Sequence, residues 1–286
     1  IPGELAISAH LPIRWARVGS VTFEDQTKDN FAVDLDIRGY IHDTATLKNN
    51  VKTLANLDLN NWDATDLGDL VIMLDWMRDY PQEKESLKNV ELHAKLGLRC
   101  PTGLEKDENK AFSIAFGNDG AWSIPFGLGL DLDFKSHISL GAEAEFEIIF
   151  DDTKDMRMKT EAHQTSFLML NKGRATMDHG FLWKFYLYLQ GFHFYKGLSL
   201  KTAYEYIKKD SDSLSPKSDG FNSGVANTAR WLDEFYSHHV IFSVNYDFFK
   251  EFKSFKPQLS FYYKLPVAGK GVIAPDTIGG QLAVSF

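Results

Sequence analysis

The sequence predicts an all-β fold: an antiparallel, up-and-down transmembrane β-barrel of about ten strands. Three observations predict it. Apolar and polar residues alternate with period 2 over long stretches. Short and long connections follow one another in strict alternation, and large aromatics gather at the ends of the apolar faces.

The first strand is read across 4–24, where Leu5, Ile7, Ala9, Leu11, Ile13 and Trp15 take alternate positions and Arg14 falls on the other face. A long link near 25–68 follows. Inside it Leu47, Val51 and Leu54 have helical spacing, which predicts a short helix within Thr44–Asn56. Over 69–80, Leu70, Ile72, Leu74 and Trp76 oppose Asp69 and Asp75. Next, Val90, Leu92, Ala94, Leu96 and Leu98 oppose Glu91, His93, Lys95, Gly97 and Arg99.

The cleanest segment is a hairpin. Trp122, Ile124, Phe126, Leu128, Leu130, Leu132 and Phe134 form one face, opposed by Ser123, Gly127, Gly129, Asp131 and Asp133. After Lys135 and Ser136, Ile138 to Phe150 repeats the pattern against Gly141, Glu143, Glu145 and Glu147. A helix would scatter these carboxylates around its circumference, whereas a strand collects them on one side. Five further strands follow: 181–194 (Phe181, Trp183, Phe185, Leu187, Leu189), 198–206, 240–248, 259–265 and the segment closing on Leu282, Val284 and Phe286.

Short turns fall near 81–88, 135–136, 195–197 and 250–255, and long links near 25–68, 100–119, 151–180, 208–235 and 266–276. In an up-and-down barrel every short turn then lies at one end and every long loop at the other. The reading is a single domain over 1–286, with no repeat, linker or internal boundary.

Composition narrows the classes. Lys plus Arg number 31 against 39 Asp plus Glu, a net charge of −8, which argues against nucleic acid as a partner. No run of 18 apolar residues occurs and mean hydropathy is −0.27, so a bundle of membrane-spanning helices is excluded. A barrel escapes that exclusion, because alternation hides its apolar residues in an ordinary average. Aromatics are abundant at 22 Phe, 11 Tyr and 6 Trp, and the single Cys100 allows no internal disulfide. Ile1, Pro2, Gly3 and Glu4 carry no leader pattern, so an export signal has been removed or the chain begins part-way in. Missing N-terminal strands would make the parent barrel one of twelve.

The last nine residues, Ile278 to Phe286, form an amphipathic segment ending in phenylalanine. With the alternation and the loop asymmetry, the chain resembles a Gram-negative outer-membrane β-barrel protein of porin-like class. The resemblance implies periplasmic turns, extracellular loops and membrane lipid as the surrounding partner. It also implies that the outer-membrane assembly machinery recognises Leu282, Val284 and Phe286. Homo-oligomers or a surface-layer partner are compatible with it, and no cofactor is expected. A soluble β-sandwich would also alternate. Against it stand an aromatic girdle of Trp122, Phe134, Phe150, Trp183, Tyr246 and Phe248, and apolar faces running about 9–13 residues, beyond the usual strand of about 5–6.

If lipid meets the apolar face, the polar face lines a lumen: Asp131, Asp133, Glu143, Glu145 and Glu147 against Lys95, Arg99 and Lys184, with Arg14, Asp69, Asp75, Glu91 and His93 in the wider inventory. Two readings stay open. The charges select small hydrophilic solutes or ions passing through, or they pair across a narrow interior and fill it. In the second, the barrel is non-conducting and its long loops bind a partner.

Enzymatic readings find little. Asp178 and His179 are adjacent and so point to opposite sides of an extended chain, as do His238 and His239. No catalytic residue and no metal ligand set is expected.

Overall fold

Alternation over long segments builds one large antiparallel sheet, and shorter segments between them build a second unit. The computed structural model describes residues 3–24, 43–134, 137–195, 197–248, 256–272 and 276–285. Among these are fifteen strands. The first half of the chain gives β1 (Glu4–His10), β2 (Ile13–Val18), β3 (Trp62–Leu67), β4 (Leu70–Pro81), β5 (Leu87–Cys100), β6 (Ser123–Phe134) and β7 (Ile138–Ile149). The second half gives β8 (Asp152–Arg157), β9 (Lys172–Asp178), β10 (Leu182–Tyr195), β11 (Leu198–Lys209), β12 (Ser213–Pro216), β13 (Phe235–Asp247), β14 (Lys256–Lys270) and β15 (Thr277–Ser285). No helix of the described residues is long and apolar enough to cross a membrane.

Ten strands form one sheet in the order β1-β4-β5-β6-β7-β10-β11-β13-β14-β15, every neighbour antiparallel. Each of the ten alternating segments supplies one of them. Several expectations need correction. The sheet is open among the described residues: β1 and β15 are its edges and do not pair with each other. The segment 4–24 is not one strand, because Pro12 has no N–H to give a ladder. The chain breaks there, leaving β1 only seven residues long, and β2 pairs with β3 instead. The strand count is fifteen, not ten or twelve, because β3, β8, β9 and β12 form inside segments read as loops. These strands have four to seven residues, too short to show the long alternation that marked the others. The loop 266–276 also shrinks, since β14 runs to Lys270.

The large sheet is inside out by the standard of a soluble protein. Its fully buried side chains are almost all polar: Ser123, Ser139, Glu147, Ser199, Glu205, Ser237 and His239, with Ala203 the apolar exception. Large apolar side chains stand outward instead, among them Ile7, Leu128, Leu187, Phe261 and Leu282. Burying apolar area is the main force that folds a chain in water. This sheet does not use it.

The buried apolar residues lie almost entirely in the segments between the long strands. Strands β8, β9 and β12 form a three-stranded sheet over Met156, Met158, Met169, Ala175, Met177, Leu214, Ala226, Ala229 and Leu232. A helix, α1 (Thr44–Ala55), forms where its spacing predicts it. Asp43 caps its first turn, accepting from the Thr46 amide at 2.9 Å, and Asn56 ends it in the left-handed region. Val51 of α1 packs with Leu57 and Leu59 in a second small core.

Arg157 ties these excursions together. Its buried guanidinium donates to the carbonyls of Ala55 and Asn56 at 3.0 and 3.3 Å, of Glu108, and of Leu170 at 2.6 Å. The carbonyls of Ala55 and Asn56 close α1, so the cation also faces the negative end of the helix dipole. Burial in turn holds the Arg157 guanidinium below its ordinary pKa.

A second polar pin lies where β8 begins. Asp152 Oδ1 meets His179 Nε2 at 2.8 Å, and Asp152 Oδ2 lies 3.2 Å from Lys154 Nζ. Burial alone would raise the Asp152 carboxyl, but the hydrogen bond to His179 and the charge of Lys154 hold it below its ordinary value. A depressed carboxylate stabilises the fold above its unfolded pKa of about 3.9, and that contribution is lost as pH falls through the lower folded value. Amide protection in β8 and β9, the exchange rate corrected for its intrinsic pH dependence, is therefore expected to weaken below about pH 4 and to change less in Asp152→Asn. Protection that stays constant down to pH 2 in the unaltered protein would contradict this.

Candidate functional site

Register decides which side chains of the polar face meet. Lys95, Gly127, Glu145 and Lys184 stand in one row across β5, β6, β7 and β10. Gly127 has no side chain to obstruct the row; a Cβ there would lie 2.9 Å from Lys95 Cε. Lys95 therefore crosses over β6 and pairs with both Glu143 and Glu145 on β7. From the far side Lys184 Nζ donates to Glu145 Oε2 at 2.9 Å.

Nearer the long connections, Arg99 holds Glu147 with two hydrogen bonds, Nε to Oε1 at 2.7 Å and Nη2 to Oε2 at 3.1 Å. Asn118 and Ser123 also donate to Glu147, so this buried carboxylate is fully satisfied. On the other half of the sheet Glu205 plays the same part. It pairs with Lys264, lies 3.9 Å from Lys184 Nζ and lies 3.4 Å from His239 Nδ1. Lys201 is held differently, its Nζ lying 3.7 Å from the Tyr188 ring centroid. A cavity of about 320 Å³ opens beside this ladder, lined in part by Ser8, His10, Asp75, Lys95, Arg99 and Glu147.

Toward the short turns the balance changes. Asp79, Glu91 and Asp131 stand in a single row across β4, β5 and β6. Tyr188 Oη donates to Asp131 at 2.6 Å, and His93 Nδ1 lies 3.7 Å from the other Asp131 oxygen. Asp133, two residues on, has no ion pair among the described residues. Fixed charge is thus graded along the strands, acidic near the turns and ion-paired toward the long connections.

The sequence-predicted residues fall as follows. Lys95, Arg99, Asp131, Asp133, Glu143, Glu145, Glu147 and Lys184 all lie on the polar face, and six of them, Lys95, Arg99, Glu143, Glu145, Glu147 and Lys184, form the ladder. Arg14 is on β2, outside the large sheet. Asp69 lies buried before β4, accepting from the amides of Gly103 and Asn118, where it anchors the 101–122 connection rather than lining the face. Trp122, Phe150 and Trp183 lie at the long-connection end of the outer face; Phe134, Tyr246 and Phe248 lie at the turn end. The Trp183 indole donates to Asp210 at 3.1 Å, giving the ring one polar and one apolar edge. Leu282 is on β15 and exposed, whereas Phe286 and the side chain of Val284 lie outside the described residues.

Two features were missed. Glu205 sits in the alternation of β11 but draws no attention until register places Lys264 and His239 around it. The sequence gives Glu91, His93 and Asp131 no joint role, yet one ligand atom from each lies within 4.8 Å of the others. The cue was available: Glu91 and His93 are two apart on one strand, and Asp131 faces them on the next. Compared with known proteins, the chain matches no protein-family model and no curated protein.

Proposed function

We propose that the chain is an integral outer-membrane β-barrel whose polar interior passes small hydrophilic solutes or ions. The observation that carries this is the inverted burial of the large sheet, with Glu147, Glu205 and His239 inside and Leu128, Leu187 and Phe261 outside. In water such a surface is costly, and in lipid it is required. Lipid also demands that no backbone group stay unpaired, so the two edges must meet within the membrane. Ten strands that alternate in direction make β1 and β15 antiparallel, which permits that closure. The ordered charges then act as the selectivity element, with Glu143, Glu145 and Glu147 opposed by Lys95, Arg99 and Lys184.

Conductance of the purified protein in a planar bilayer tests this reading. Stable open steps are expected, with an ion preference that shifts toward anions when Glu143, Glu145 and Glu147 become Gln. A silent bilayer would remove the transport role. One observation favours a second reading in that case: the interior cations are held by carboxylates, and the long connections fold around their own apolar cores. A closed barrel that presents this folded unit to an external partner is then the better account.

A further inference from the structure

Near the short turns β5 and β6 bring three metal-ligating side chains together, with no Lys or Arg ion-paired to them among the described residues. Glu91 and Asp131 are direct cross-strand partners, and Asp79 adds a third carboxylate to the same row. Like charges directly opposite on a sheet destabilise it. Elsewhere on this face the sequence answers such crowding with Lys or Arg, as Lys95 answers Glu143 and Glu145. Among the described residues no Lys or Arg forms an ion pair with Glu91 or Asp131. Lys201, whose charge reaches Asp131 from a longer range, rests over the rings of Tyr186 and Tyr188.

What stands beside the two carboxylates is His93. Its Nδ1 is 3.7 Å from Asp131 Oδ2, and the three candidate ligand atoms lie within 4.8 Å of one another. Zinc-class ions bind imidazole nitrogen and carboxylate oxygen at about 2.0–2.2 Å, so ligand atoms around one ion sit roughly 3–4 Å apart. A small side-chain rotation brings this group into range. Two neighbours pre-set the geometry. A Cβ on Gly129 would lie 1.7 Å from His93 Nε2, so the bare glycine is what admits the ring and leaves Nδ1 toward Asp131. Tyr188 Oη donates to Asp131 Oδ1 from outside the triad, steadying that carboxylate and leaving its second oxygen turned to His93.

We propose that Glu91, His93 and Asp131 form a binding site for a divalent transition-metal ion of the zinc class. The single imidazole is what distinguishes the set from an all-oxygen calcium or magnesium site. The site needs only the register of β5 on β6, not a closed barrel, so it stands or falls separately from the transport reading.

The test uses the full chain in detergent micelles after chelation, titrated with Co²⁺ and then Zn²⁺. One Co²⁺ per chain is expected, with visible absorption bands that Zn²⁺ bleaches. His93→Ala should weaken binding by at least about tenfold. Glu91→Gln, which keeps the shape, should weaken it as well, and Gly129→Ala should do so by displacing the ring. Glu161→Gln, exposed between β8 and β9 and away from the large sheet, should leave it unchanged. Absence of any Co²⁺ band in the unaltered protein overturns the proposal. So does binding of equal affinity in His93→Ala and Glu91→Gln, which would put the metal elsewhere.

Discussion

Replacing Leu128 by arginine is expected to lower folding stability in lipid vesicles by about 2–4 kcal/mol, the cost of a charge at mid-membrane on a barrel's outer face. Leu128 lies near the middle of β6 and is 65% exposed. For a soluble protein the same change at so exposed a residue would matter little, within about 0.5 kcal/mol. The two environments therefore predict opposite results for one substitution. Urea titration of the vesicle-inserted protein reads the difference, with Glu83→Arg in the β4–β5 connection as a control expected to be neutral. If Leu128→Arg is neutral too, and the protein stays monodisperse without detergent, the membrane reading fails.

Arg99→Ala is expected to cost about 3–5 kcal/mol, because it strands a carboxylate that is already out of solvent. Glu147 keeps only 8% side-chain exposure and takes two hydrogen bonds from that guanidinium. Removing both charges is a milder change than removing one. The double variant Arg99→Met/Glu147→Leu is expected to recover part of the loss, since it removes the stranded charge but leaves Asn118 and Ser123 without their acceptor. A cycle of Arg99→Met, Glu147→Leu and the two combined, in the same urea assay, measures this coupling. Strictly additive losses would mean that the two side chains do not act as a pair.

The two experiments probe the part of the molecule that was most legible in its sequence. Long period-2 alternation marks all ten strands of the large sheet, because a strand with one face in each of two media cannot avoid writing that pattern. Trp122 to Phe134 and Ile138 to Phe150 announce a hairpin and both of its faces. Partnership on the polar face was not legible. That Lys95 reaches Glu145 depends on a register that puts Gly127 between them, and no local property of Lys95 reveals it. The same holds for Glu205, whose partners Lys264 and His239 come from two other strands.

The folded excursions were the least legible part. Their core is built from Met156, Met158, Met169, Met177 and small alanines, on strands of a few residues each. Such segments are too short for a periodic signal and too mixed to stand out by composition. Only α1 was visible there, since Leu47, Val51 and Leu54 repeat at helical spacing. The break at Pro12 was misread because the residues beyond it, Ile13 and Trp15, continue the alternation on a strand that belongs to another sheet.

Arg157 gives those excursions a shared fate. One guanidinium bonds to the end of α1, to the segment at Glu108 and to the segment before β9, three stretches far apart in the chain. A surface composed this way is discontinuous in sequence and rigid in space. Loss of that one side chain would release all three stretches at once. A substitution that moves the carbonyls of Ala55, Asn56, Glu108 or Leu170 therefore acts on the other stretches through the same guanidinium.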